Sequence, residues 1–311
     1  MEIEFHYYIT KGIALRADSA EKEAEIIAYA SQYTDDNYKI FTINKDKPDQ
    51  FKNFVSQTYN IRHPRKTLMH IYPIFHFIPG DPKSITAKRK DKLTNIFNTT
   101  PDSFNARKVF KKALESNNLY RIGIASHGFC DTWAHQNFIG LLDSFNAMPG
   151  IEKPLFPNIG HADARNYPDF ISFSWTDSRL IKKNQDIQNN QRFIEASRRL
   201  FEELSRFNGK KNQWIKKEWK QLEKDLIESF GDQDQLQIRQ GSRKDKYKSI
   251  LGVKTDYDKS TWFDKAVRVE GIIQKEYFSK NNFKKSHWYQ FQEQVIKHQD
   301  ESWEILDIIT N

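Results

Sequence analysis

A single cysteine, Cys130, stands in 311 residues, so no internal disulfide framework can brace the chain. Such usage fits a reducing compartment. No apolar run reaches the roughly 18 residues that span a bilayer. The N-terminal MEIEFHYYITKG lacks the basic and then apolar regions of a signal peptide, which makes a soluble cytoplasmic protein the expectation. Glycine is sparse, there is no glycine-rich phosphate loop, and no internal repeat is visible. The 49 basic against 41 acidic side chains give a net charge of +8, a mild bias toward anionic partners. Lys and Arg are spread along the chain, which gives only weak support to nucleic-acid binding.

What the chain does contain is a dense histidine and aspartate pattern. Ile122 to Gly140 reads IGIASHGFCDTWAHQNFIG, and His127, Asp131 and His135 recur every four residues within it. On a helix such positions share one side. Ile122, Ile124, Phe129, Trp133, Ala134 and Phe138 clothe the rest, so the stretch reads as a helix buried nearly all round. Polar groups so buried must hydrogen-bond together or hold a cation. Imidazole and carboxylate suit zinc, with iron or manganese as alternatives. A His-Asp pair that only locks helices together is the plainer reading, and a Cys130 nucleophile finds no third group to orient its base.

Elsewhere, Phe5 to Leu15 has helical spacing and carries His6. Asp18-Ser-Ala-Glu21 resembles a capping box opening a helix through Tyr33, which ends in Thr34-Asp35-Asp36-Asn37. Two acids at a helix C-terminus oppose its dipole, and metal ligation or a solvated loop would each account for them. Residues 38–66 allow a short β-hairpin or an irregular connection. The apolar run 68–82 carries His70 and His76 and is broken by Pro73 and Pro79. Residues 83–104 are basic and polar, which suggests an exposed loop or lid. Ser103 to Ser116 reads as an amphipathic helix, and Asn146 to Gly160 as a proline-punctuated loop with Pro149, Pro154 and Pro157. Gly160 to Asp169 continues the loop and offers His161, Asp163 and Asp169 with Arg165 between them. An amphipathic helix is expected over Asn184 to Phe207, closed at Gly209. The aromatics Trp262, Phe263, Trp288, Tyr289, Phe291 and Trp303 fit helix packing better than a single-strand stacking surface.

These blocks resemble an uncharacterised bacterial family known only as a domain of unknown function. The resemblance rests on Phe5-His-Tyr-Tyr8 with Ile27 to Asp36, on Phe75 to Pro79, on His127 to Phe138, and on Gly160-His161 with Pro168-Asp169. More distantly, the order of ligand types is similar to that in zinc-dependent phospholipase C and the related single-strand-specific nucleases, all-helical enzymes that cleave phosphate esters with clustered metal ions. By that likeness His6, Asp35 or Asp36, His76, His127, Asp131, His135 and His161 would be metal ligands. Two departures stand out: the next histidine follows Asp131 by only four residues, and the processed N-terminal amino group of those enzymes is missing.

The expectation is therefore a mostly helical fold around a buried polar or metal site, with a helical core over 1–208 and a C-terminal helical extension over 209–311. The expected activity is metal-dependent hydrolysis of an anionic phosphoester, whether small molecule, lipid or nucleotide. Asp36 or Asp163 would serve as general base and Arg165 would hold the phosphate. The alternative is a metal-free helical interaction module with a structural His/Asp cluster and a basic surface for a protein or nucleic acid.

Overall fold

The computed structural model describes residues 1–60, 65–148, 158–231, 240–272 and 274–306, and the expected prolines at 149, 154 and 157 lie outside them. The described chain is mostly helical with a few short strands. The first helix begins as a π-helical segment, Glu4–Ile9, and continues as α1, Thr10–Arg16. A wider π turn shifts the side chains it carries relative to an α-helix, and such segments are common at functional sites. His6 lies within it. Helix α2 spans Glu21–Asp36. Its start corrects the sequence reading by two residues, because the carboxylate that reaches back is Glu23, accepting from the Ala20 N–H at 3.0 Å.

Pro73 keeps the next apolar segment in two short pieces, α3 (Arg65–Met69) and α4 (Tyr72–Phe75). Helix α5 (Phe104–Glu115) opens at Ser103, whose hydroxyl accepts from the Ala106 N–H. Helix α6 (Leu119–Ala134) opens at Asn118 and is buried from Arg121 onward. It stops before Phe138, short of the reach read from sequence. Asn137 adopts a left-handed φ of 72°, and the Gln136 amide donates to the Trp133 carbonyl, so the chain turns away there.

Helices α2 and α6 are closely packed neighbours. Gly123 permits this, since a Cβ there would meet Ala30 Cβ at 2.6 Å and press into the Ile27 carbonyl. Gly128 likewise lets α6 approach the Phe75 carbonyl behind the site. Helix α7 (Asn189–Phe207) starts five residues later than the sequence suggests, because Asp186–Gln188 pair as a strand with Ser174–Thr176. It ends as expected at Gly209, where φ is 74°.

Of the hairpin or irregular connection allowed within 38–66, a hairpin is present, with β1 (Thr42–Ile43) paired antiparallel with β2 (Phe51–Lys52). The strands at Ser174–Thr176 and Asp186–Gln188 are β3 and β4. After α8 (Asn212–Phe230), α9 (Gln240–Leu251) and α10 (Thr261–Ala266) come β5 (Val267–Glu270) and β6 (Glu276–Ser279), and β6 joins β1 in parallel. The last described element is α11, His287–Leu306. Tyr247, Trp288, Phe291 and Val295 from the last third share one buried cluster with Phe5, Ile27, Phe75 and Phe129. The Trp288 indole N–H donates to Tyr33 OH at 3.1 Å. Trp262, Trp288 and Phe291 are buried, as helix packing requires. Among the described residues, no helix is long and apolar enough to cross a membrane.

Candidate metal centre

The π segment, the end of α2, the α4 terminus, α6 and the 158–169 loop each deliver ligand-type side chains to one region. Among the described residues, three groups each have donor atoms within 4.8 Å of one another: His6, His127 and Asp131; Asp35, His76 and His127; His135, His161 and Asp169. The first two share His127. Asp131 lies between all three, with Oδ1 3.2 Å from His6 Nε2 and Oδ2 3.2 Å from His127 Nε2 and 3.5 Å from His76 Nδ1. Asp35 Oδ1 stands 3.6 Å from His127 Nε2 and 3.7 Å from His76 Nδ1. The rings of His6 and His127 stack with centroids 3.8 Å apart.

Backbone carbonyls orient three of these rings. A carbonyl only accepts, so the ring nitrogen facing it must carry hydrogen and the other nitrogen is set toward the site. His76 Nε2 faces the Ser56 carbonyl at 2.9 Å, which turns Nδ1 inward to lie 2.9 Å from His127 Nε2. His135 Nδ1 faces the His76 carbonyl at 2.9 Å, and its Nε2 lies 3.1 Å from Asp169 Oδ1. His161 Nδ1 faces the Arg165 carbonyl at 2.7 Å, and its Nε2 lies 3.3 Å from Asp169 Oδ2.

Burial governs the electrostatics. It pushes His6 down to about 3, aided by the neighbouring His127 and the amino terminus. Burial likewise lowers His76 and His161. Burial also opposes charge on His127, but the carboxylates of Asp35 and Asp131 outweigh it and raise its pKa. Burial works against ionised Asp131 and Asp169 as well, yet the neighbouring histidines and the Met1 amine hold both below the usual carboxylate range. The Met1 α-amino group lies 2.6 Å from Asp131 Oδ1 and 3.2 Å from Asp169 Oδ1. Burial disfavours its charge, and Asp131, Asp169 and Asp35 more than offset this, so it is pushed up to about 11. The sequence reading held the amino group of the phospholipase-like enzymes to be missing here, whereas the Met1 amine stands beside Asp131.

The donor set fits a cation. Among the described residues, both ring nitrogens of His6, Nδ1 of His127 and Oδ2 of Asp131 are buried without a hydrogen-bond partner. His161 Nε2, its other nitrogen already committed as donor, presents a lone pair to a carboxylate unless it is protonated, and burial opposes that protonation. A cation between the two would resolve the conflict.

A cleft of about 640 Å³ opens onto the cluster, lined by Asp35, His76, Asp131, His135, His161 and Asp169 among others. Of the ligands expected from sequence, His6, Asp35, His76, His127, Asp131, His135 and His161 converge here. Asp36 lines the cleft but stands outside the three ligand groups, and its Oδ2 accepts from Tyr257 OH at 2.8 Å and from the Gln32 amide at 3.2 Å. Asp163 is buried within its loop and accepts from the Met148 N–H at 3.1 Å. Arg165 is exposed and does not line the cleft; its backbone carbonyl, not its guanidinium, serves the site. Asp169 is a ligand-type residue that the sequence reading noted without assigning it a role. The Pro168-Asp169 pair in the resemblance was the signal for it. His70 packs on Trp303, away from the cluster, with ring centroids 4.3 Å apart.

No curated protein and no solved structure matches the chain significantly. A model of a family of unknown function, DUF6765, matches residues 1–306, which spans every element of the site, and the chain belongs to that family.

Proposed function

We propose that this protein is a metal-dependent hydrolase acting on phosphoester bonds. The observation that carries the reading is the convergence of three His/Asp groups on one cleft, with His76, His135 and His161 oriented by backbone carbonyls so that their remaining nitrogens face carboxylates or one another. His6, His127 and Asp131 would hold one ion, Asp35 and His76 with His127 a second position, and His135, His161 and Asp169 a third. Zinc suits this N/O donor set best, with iron or manganese next. A divalent ion here supplies Lewis acidity, lowering the pKa of a bound water and neutralising charge on phosphoryl oxygens.

The chain's own contribution is orientation and charge. Asp131 offers one oxygen to His6 and the other to His127 and His76, so it fixes the spacing of the groups. Asp35 and Asp36 face the cleft from the end of α2, and Asp36 is the better placed of the two proposed bases, since Asp163 does not line the cleft. The ion pair of the Met1 amine with Asp131 favours a second reading, a structural cluster in which charge balances without metal. Elemental analysis after incubation with zinc or manganese, with hydrolysis of bis(p-nitrophenyl) phosphate measured on the same sample, separates the two. Bound metal with metal-dependent turnover is the expected result. Protein that stays metal-free and inert overturns the hydrolase reading.

A further inference from the structure

We propose that the 83–96 segment, together with the turn at Ile181–Asn184, forms a docking surface for an anionic lipid bilayer. The two stretches are tied side by side through their backbones. The Lys90 N–H donates to the Arg179 carbonyl at 2.9 Å, the Ile181 N–H to the Lys88 carbonyl at 3.1 Å, and the Asn184 amide to the Ile85 carbonyl at 2.6 Å. This arrangement brings Lys83, Lys88 and Lys92 together with Lys182 and Lys183, all exposed. Asp91, the acid inside the run, is neutralised by Arg89 through paired contacts of 2.7 to 3.2 Å. Arg89 itself is buried, so the exposed face is left cationic.

Among these lysines stand aliphatic side chains that the fold leaves in solvent: Ile85 at 56 % exposure, Leu93 at 55 % and Ile96 at 53 %. Leu142, 60 % exposed, sits on the neighbouring loop, and its backbone bridges to Ile159 at the cleft. Half-exposed aliphatics within a basic surface suit an interface that offers anionic headgroups above an acyl layer. A single-stranded nucleic acid would instead call for aromatic faces, and the exposed apolar groups here are Ile and Leu.

Co-sedimentation of the full chain with phosphatidylcholine vesicles, with and without phosphatidylglycerol, tests the proposal. Binding is expected to the anionic vesicles and to weaken with salt. Lys88→Glu/Lys92→Glu should reduce partitioning by at least about fivefold per lysine. Ile85→Ser/Leu93→Ser should reduce it on the order of tenfold. Lys182→Glu/Lys183→Glu provides an independent charge variant should the first fail to fold. All these side chains are exposed, so metal content should equal that of wild type, and the docking and hydrolase readings fail separately. Equal binding to neutral vesicles, no binding to anionic ones, or variants that bind like wild type would overturn the proposal. So would oligonucleotide binding that depends on the lysines but is indifferent to Ile85 and Leu93.

Discussion

His135 faces the backbone carbonyl of His76 across 2.9 Å, so the main chain that carries one site histidine orients another. The rings therefore cannot rotate independently, and Asp131 sits among them as the shared anion. Asp131→Asn keeps the shape but removes the charge. It is expected to lose most bound metal, by more than the roughly 10 to 100-fold typical of an outer partner. Metal content and turnover of wild type and variant, measured beside their melting curves, check this; a variant that retains full metal would contradict it.

His76 in turn depends on a buried amide chain. The Gln292 amide donates to Asn37 Oδ1 at 2.8 Å, the Asn37 amide to Ser56 Oγ at 3.2 Å, and the Ser56 carbonyl holds His76 Nε2. Asn37→Ala should weaken metal affinity about 10-fold or more through loss of that orientation. It should also cost roughly 1 to 3 kcal/mol in stability from the unpaired partners. Zinc titration monitored by competition with a chelator reads the first effect, and urea unfolding the second.

Gly123 is the point of closest approach between α6 and α2. Gly123→Ala forces a methyl into Ala30 and the Ile27 carbonyl. The strain should destabilise the fold by about 1 to 3 kcal/mol despite alanine's higher helix propensity. A melting temperature at or above that of wild type would show that the two helices can separate freely.

Acid stability should carry the signature of His298. Burial and the adjacent Arg121, whose Nε donates to His298 Nδ1 at 3.1 Å, hold this imidazole neutral well below its ordinary pKa. Arg121 is itself paired with Glu301 at 2.9 Å. The unfolded chain takes up a proton near pH 6.5 that the fold refuses, so the stability from this group is present above that pH and is lost as pH falls. The slope is about 1.4 kcal/mol per pH unit for one proton. His298→Asn, which can still accept from Arg121, should show a shallower loss between pH 6.5 and 5 in denaturant titrations. An unchanged slope would rule His298 out as a contributor.

Cys130 lies in α6 beside Asp131 but is fully buried, and burial first, then the Asp131 charge, raises its thiol well above the ordinary value. The native protein should therefore resist thiol reagents and react at once on unfolding. Cys130→Ser should leave turnover intact. Rapid labelling of the folded protein would reopen the nucleophile reading.

Most ligand-type residues of the cluster were visible in the sequence, because histidines and aspartates within apolar stretches are costly unless they meet partners. The four-residue spacing of His127, Asp131 and His135 placed the first two on one helix side without any tertiary information, and His135 follows as the residue that caps α6. Helical boundaries followed where a local signal sufficed, as with Ser103 before α5 and Gly209 after α7. They slipped where pairing at a distance intervened. Asp186–Gln188 reads as helix by periodicity but pairs with Ser174–Thr176, and α6 stops short of Phe138 because the chain turns at Asn137.

Composition and periodicity thus determined a mostly helical chain carrying a buried His/Asp set, since burial pattern and helical phase are local properties of the sequence. Which carboxylates join that set was decided only in three dimensions. Asp35 and Asp36 are indistinguishable as neighbours in sequence, yet successive residues on a helix point about 100° apart, and α2 aims one at His127 and the other at Tyr257. Asp163 and Asp169 share one loop, but the turn that sets Arg165 at a φ of 54° presents its carbonyl to His161 and leaves Asp169 facing the cluster. The tautomers of His76, His135 and His161 rest on carbonyls whose position only the packed chain supplies, because every residue has a carbonyl and the sequence says nothing about where it points.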